Sequence, residues 1–213
     1  MFVAPAVAAG IVLPILCAMD IFGLLAYRRN WSAHHVRILL PGALVGVVLG
    51  SLAFGTVPVE WVRLLIGVIA VAFTLNRWFD IAGRLGSKAG KPGRLIGFVS
   101  GATSGLTSTM AHAGGPPLLV YLLPQRMDKA MFVGTSVVFF AIVNYVKLIP
   151  YGLLGQLSPG NLRLSLLFAP LAPLGIWLGL HLERKIPEKP FYRLSYAILF
   201  ATGCKLIYDS LCA

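Results

Sequence analysis

Long apolar runs constrain this chain more than any other feature. Phe2–Ala26, Ile38–Gly55, Trp61–Phe79, Met131–Pro150, Leu162–Leu182 and Phe191–Leu211 are each predominantly apolar. Each approaches the roughly 20 residues that a helix needs to cross a bilayer. A seventh stretch, Leu95–Pro124, is apolar at both ends and broken in the middle. Backbone polar groups in lipid must be satisfied within the segment, so these runs read as helices. The whole chain supports this, with a mean hydropathy of +0.84 and only 12% charged residues, where a soluble domain carries about 25%. The fold class is therefore all-α, a polytopic integral membrane protein, and the lipid bilayer is its first partner.

The net charge is +11, but the basic residues sit in short loops between apolar runs. They read as topology signals, and no nucleic-acid partner is expected. Cys17, Cys204 and Cys212 are odd in number and lie in or beside apolar runs, so a disulfide framework and a metal site are not expected. The N-terminus has no charged region of the kind a signal peptide carries. No cofactor motif and no P-loop occurs.

An internal repeat is visible. "VRILLPGALVGVVLG" (36–50) resembles "SLLFAPLAPLGIWLG" (165–179), each with an early proline and a late G-x-x-x-G. "VRLLIGVIAVAFTLNRWFD" (62–80) matches "YRLSYAILFATGCKLIYDS" (192–210). The copies lie 129 to 130 residues apart. The chain thus reads as a first repeat at 1–80, a cytoplasmic linker at 81–94, and a second repeat at 95–211 that begins with the broken segment 95–124. By symmetry, about thirty residues carrying a first broken hairpin are expected before the first repeat.

Loop charge sets the topology, because cytoplasmic loops are rich in Lys and Arg. If 95–124 crosses the membrane, 11 Lys and Arg fall inside and 7 outside. If it enters and leaves on one side, the inside holds Arg28, Arg29, Arg37, Arg77, Arg84, Lys88, Lys91, Arg94, Arg126, Lys129, Arg184, Lys185, Lys189 and Arg193. The outside then holds Arg63, Lys147, Arg163 and Lys205. The re-entrant hairpin separates the charges better. It also explains why the loop "YRRNWSAHHVR" is basic while its counterpart "YGLLGQLSPGN" is neutral. Copies with opposite charge bias have opposite orientation, so we expect two inverted repeats of three spanning helices plus a broken, re-entrant helical hairpin.

The break itself, "TSTMAHAGGPPLLVYLLP" (107–124), carries the chemistry. A half-helix starting near Pro116 points its positive dipole end into the membrane, an arrangement suited to an anion. Gly114 and Gly115 allow close approach to the backbone, and with the N–H groups at Pro117 and Leu118 they are expected to hold the anion. Thr107, Ser108 and Thr109 supply hydroxyls, and His112 supplies a donor or a titratable charge. The plainer alternatives are a surface loop at G-G-P-P and a histidine that bonds a backbone carbonyl. The glycine-rich "GFVSGATSG" (97–105) reads as close helix packing. Asp20 is an intramembrane acid, functional or else a helix-end cap. At a spacing of 126 residues it falls opposite Val146, near Asn144, so the two spans are expected to face one another. Lys147 reads as an interfacial anchor.

The stretch "SGLTSTMAHAGGPPLLVYLLPQRMDKAMFVGTSVVFFAIVNYVKLIPYGLLGQLSPGNL" resembles the TauE/SafE sulfite exporter family. It shares the G-G-P-P break, the V-G-T-S opening of the next span, the later Asn and the G-x-x-x-G helix. "LPILCAMDIFGLLAYRR" resembles the family's first repeat. The resemblance implies a transporter with two related halves that moves a small sulfur-containing anion such as sulfite, sulfoacetate or another organosulfonate. It carries over Gly114, Gly115, Pro116, Thr135, Ser136 and Asn144. The chain departs from the family in having A-H-A-G-G-P where G-x-G-G-P is common, and in lacking the glycine-rich N-terminal segment.

The expected function is secondary-active export of such an anion. Ser108, Thr109, His112, Gly114, Gly115, Pro116, Thr135, Ser136 and Asn144 form the substrate site, and Asp20 or His112 couples protons. A channel-like anion conductor and a non-transporting membrane subunit are the alternatives, and a homo-oligomer stays open. No enzyme is expected, since neither paired carboxylates nor a catalytic Ser–His arrangement is seen.

Overall fold

A computed structural model describes residues 5–79 and 92–212. Of the expected linker at 81–94, positions 81–91 lie outside the described residues. Among the described residues all regular structure is helical: α1 (Pro5–Tyr27), α2 (Ala33–Leu52), α3 (Val59–Phe79), α4 (Arg94–Ala111), α5 (Gly115–Leu122) with a 3-10 turn at Leu123–Gln125, α6 (Lys129–Leu153), α7 (Pro159–Phe168), α8 (Leu171–Lys185) and α9 (Glu188–Leu211).

Val7–Tyr27, Ala33–Leu52, Glu60–Phe79 and Lys129–Leu153 are each long and apolar enough to cross a membrane. The pair α7 and α8 passes the same test only when taken together, bent by 45°, as a broken span or a re-entrant loop. Leu162–Leu182 is therefore not the plain span expected. Its repeat partner α2 runs unbroken through Pro41, whereas this segment carries Pro170 and Pro173 within one turn. Each proline removes a backbone donor and its ring clashes with the preceding turn. One proline is tolerated in α2; two in succession break the helix. Phe191–Leu211 is helical throughout within α9 but is less apolar than the other spans, because it contains Arg193, Lys205 and Asp209. Lys205 and Asp209 pair at 2.7 Å across one turn.

The chain forms two compact units, each built from two separate stretches of the chain. The first holds α1, α6, α7, α8 and the opening turn of α2. Here α1 packs antiparallel on α6. Leu13 and Tyr151 are fully buried together, with Ala9 and Cys17 beside them. A Cβ on Gly23 would stand 2.9 Å from Val137, and one on Gly134 would strike the Asn30 carbonyl. Ser165 Oγ donates to the Ile11 carbonyl at 2.7 Å, tying α7 to α1.

The second unit holds the rest of α2 with α3, α4, α5 and α9. Two glycine rows interlock in it. A Cβ on Gly42, Gly46 or Gly50 would run into the backbone of Phe98, Ala102 or Leu106 of α4, and one on Gly101 or Gly105 would run into Leu39 or Ala43 of α2. The constant offset along both rows means that α2 and α4 run parallel at backbone contact. This is the small-residue packing read from "GFVSGATSG". The G-x-x-x-G of the second repeat is not used this way. A Cβ on Gly175 would meet only Met19 Cε at 3.8 Å, and one on Gly179 nothing within 4 Å. Helices α3 and α9 pack antiparallel, with Gly67 against Gly203, Phe73 stacked on Tyr196 and Ser210 Oγ donating to the Glu60 carbonyl at 2.7 Å.

Candidate functional site

The broken segment doubles back on itself. Three pairs record the reversal from the open end to the tip. Gln125 Nε2 donates to the Pro92 carbonyl at 3.2 Å. A Cβ on Gly97 would stand 2.9 Å from the Tyr121 ring. Ser104 Oγ donates to the Gly114 carbonyl at 2.7 Å. The two arms α4 and α5 are therefore an antiparallel hairpin that returns to the level from which it started.

The tip is built locally. Helix α4 stops because His112 turns left-handed (φ 51°, ψ 28°). Histidine tolerates this region better than bulky or β-branched residues do. The His112 and Ala113 N–H groups donate to the Ser108 and Thr107 carbonyls, each at 3.2 Å. Gly114 then fits where nothing larger does: a Cβ there would lie 2.8 Å from Ser104 O and 2.9 Å from Ser104 Oγ and Ser108 Cβ. Gly115 is the opposite case, with no such atom within 4 Å of its Cβ position. The tip packs near an apolar cluster of Val62, Ile66 and Met110, flanked by Ala53, Leu106, Ala113 and Leu206.

Fewer donors are on offer here than the sequence suggests. Pro116 and Pro117, both buried in the first turn of α5, have no N–H at all. The Leu118 N–H donates to the Gly114 carbonyl at 3.4 Å. The N–H groups expected at Pro117 and Leu118 are thus not on offer to a ligand, and the donor-bearing positions at the start of α5 are Gly114 and Gly115. Several hydroxyls point inward too. Thr107 Oγ1 lies 3.1 Å from the Ala113 carbonyl and Thr109 Oγ1 donates to the Gly105 carbonyl at 2.8 Å. Ser108 is buried. A hydroxyl whose proton is committed presents lone pairs, which repel an anion.

The positions on α6 divide in the same way. Thr135 Oγ1 donates to Met131 O at 2.6 Å and accepts from the Ser32 N–H at 3.0 Å, so it clamps the α1–α2 loop. Ser136 Oγ donates to Phe132 O at 3.0 Å. Asn144 does what the repeat spacing suggests: its Nδ2 donates to Asp20 Oδ2 at 2.8 Å, with Tyr145 OH donating to Cys17 O at 3.3 Å one turn away. Lys147 is not the interfacial anchor expected. It is completely buried and within electrostatic reach of Asp20 and Cys17. A charge removed from water needs an opposite charge or several hydrogen bonds, and Asp20 supplies the first. The signal in the sequence was the i, i+3 placement of Asn144 and Lys147, which puts both on one helix face.

No group of three His, Cys, Asp or Glu poised to hold a metal occurs among the described residues.

Taken together, the spans, the hairpin and the half-buried Asp20–Asn144 pair define a multi-pass α-helical membrane protein with a helix break and ionisable groups inside its spans. The chain belongs to the sulfite exporter TauE/SafE family of membrane transporters, whose model matches residues 1–206. It is 27% identical over 195 residues to the probable inner membrane transporter protein TsaS of Comamonas testosteroni, a match that covers 89% of this chain and 77% of TsaS. No solved structure matches it.

Proposed function

We propose that this chain is a multi-pass inner-membrane exporter of a small sulfur-containing oxyanion, sulfite or an organosulfonate, driven by an ion gradient and without nucleotide hydrolysis. The observation that carries the reading is the hairpin tip. A half-helix begins at Gly115 with its backbone approachable, next to a histidine and a glycine, in a chain of the sulfite exporter TauE/SafE family. Backbone N–H groups at a helix start suit a small oxyanion, and glycine lets it come close. The name of TsaS, a probable inner membrane transporter, supports the location and the class.

In this reading Gly114, Gly115 and His112 hold the anion, Ser108 shapes the tip, and Pro116 fixes the start of α5. Asp20, paired with Asn144 and near Lys147, couples protons. Thr135 and Ser136 are scaffold. The antiparallel pairing of repeat-equivalent helices, α1 on α6 and α3 on α9, supports inverted repeats, as does the parallel run of α2 and α4 from ends marked by Arg37 and Arg94.

The test is sulfite efflux from proteoliposomes with and without an imposed pH gradient. Gly115→Leu should reduce flux at least about tenfold while the protein still folds, because the space at Gly115 admits a side chain. Undiminished flux in that variant would remove the hairpin tip from the path. Flux that follows only the anion's own gradient would make the protein a channel.

A further inference from the structure

A cavity of about 460 Å³ lies where the end of α3, the end of the hairpin and the start of α9 come together. Arg77, Arg126, Lys189 and Arg193 line it, with Glu188 as the acidic residue among its lining. All four cations fall on the side that loop charge marks as cytoplasmic. None of them belongs to the helix break.

The four cations are exposed and face one carboxylate, Glu188, in the lining, so the cavity carries an excess of positive charge that a polyvalent anion would offset. The cavity is also built rather than incidental. The Tyr192 hydroxyl donates to the Met127 carbonyl, fixing α9 to the hairpin's end. Arg77 lies against Tyr196, which is also in the field of Arg126. Arg126 is held left-handed at φ 52°, a conformation rare for a residue of its size, so that it ends the 3-10 turn at the cavity rim. Exposed apolar rings end the same helix: Trp78, 49% exposed, and Phe79, 55% exposed, are the last two residues of α3 after Arg77, and Trp78 packs on Phe200 of α9. Cations beside exposed aromatic rings at the ends of spanning helices match the two halves of a phospholipid, a phosphate head and acyl chains.

We infer that this cavity binds the phosphate head group of an anionic phospholipid of the cytoplasmic leaflet. The arginines grip phosphate oxygens in charge-assisted pairs, the two tyrosines wall the head group, and the chains leave past Trp78 and Phe79. The occupant would fasten the hairpin's open end to α3 and α9.

The experiment uses delipidated full-length protein in detergent and reads its melting temperature. Phosphatidylglycerol should raise it by about 5 °C or more at a hundredfold excess over the dissociation constant, while phosphatidylcholine should not. Arg126→Gln with Arg193→Gln should abolish the response. Arg28→Gln with Arg29→Gln, which removes equal charge from an exposed loop elsewhere, should keep it. An equal rise with phosphatidylcholine, or an unchanged response in the first double variant, overturns the inference. Pyrophosphate or sulfite alone reproducing the rise also overturns it, and reassigns the cavity to a soluble anion. If the first double variant does not fold, native mass spectrometry of the wild type decides: retained phosphatidylglycerol that survives exchange into phosphatidylcholine supports the inference, and complete exchange overturns it. None of these outcomes depends on whether sulfite is the transported anion.

Discussion

Asn144 Nδ2 donates to Asp20 Oδ2 at 2.8 Å, joining residues 124 positions apart on two antiparallel spans. Lys147 is buried one turn further along α6 and feels the same carboxylate. The three side chains form a polar cluster inside an otherwise apolar helix pair. Its residues should therefore behave as a unit when altered.

Asp20→Asn and Lys147→Met should each lower stability, since the first removes an opposite charge near the buried Lys147 and the second removes one near the half-buried Asp20. The double variant should be less destabilised than the two effects added together, with a coupling of about 1–3 kcal/mol. Chemical denaturation in detergent micelles measures this. Additive effects would mean that Asp20 and Lys147 do not sense one another. Asp20→Asn should also abolish the acceleration of flux by a pH gradient.

The two glycines at the hairpin tip should respond oppositely. Gly114→Ala forces a methyl to within 2.8 Å of Ser104 O and should cost about 1–3 kcal/mol. Gly115→Ala meets no atom within 4 Å and should leave the melting temperature within about 2 °C of the parent. Similar losses in both would contradict the tip geometry.

The glycine row 97–105 and the G-x-x-x-G at 175–179 offer a parallel contrast. Gly101→Ala drives a Cβ into the Leu39 carbonyl, whereas Gly179→Ala touches nothing within 4 Å. The first should destabilise by about 2 kcal/mol or more. The second should be neutral or slightly stabilising, because alanine favours helix over glycine. Thermal melts of the two purified variants decide it.

The hairpin's closure can be read by labelling one membrane face at a time, in whole cells and in inverted vesicles. With the three native cysteines replaced, Gly93→Cys and Met127→Cys should both react with a membrane-impermeant maleimide from the same face. Trp61→Cys should react from the other. Labelling of positions 93 and 127 from opposite faces would turn the hairpin into a crossing segment.

Much of this was legible in the sequence, because hydropathy is a sum over many residues and survives local error. The helical class, the break at Gly114–Gly115 and the glycine packing of 97–105 all come from such signals. The 14-to-4 charge separation of the re-entrant reading agrees with the reversal recorded by Pro92–Gln125. The pairing of Asp20 with Asn144 was legible through the repeat. What stayed hidden depends on single contacts. Lys147 has the same sequence appearance whether it snorkels or is buried. Thr109 and Thr135 look like donors to a ligand until their protons are seen to be committed to Gly105 and Met131. Pro41 and Pro170 look equivalent, and only Pro173 makes the second one a break.

The double proline at the start of α5 has a further consequence. Pro116 and Pro117 together would remove two consecutive backbone donors from a continuous helix, and each ring would crowd the turn before it, a heavier cost than the single prolines carried inside α1, α2 and α6. The break resists healing. A movement in which α4 and α5 fuse into one rod, and later part again, is disfavoured in this chain. In the transport cycle proposed above, the hairpin would move as a stiff piece or the helices around it would shift. Such a cycle is one of levers rather than springs.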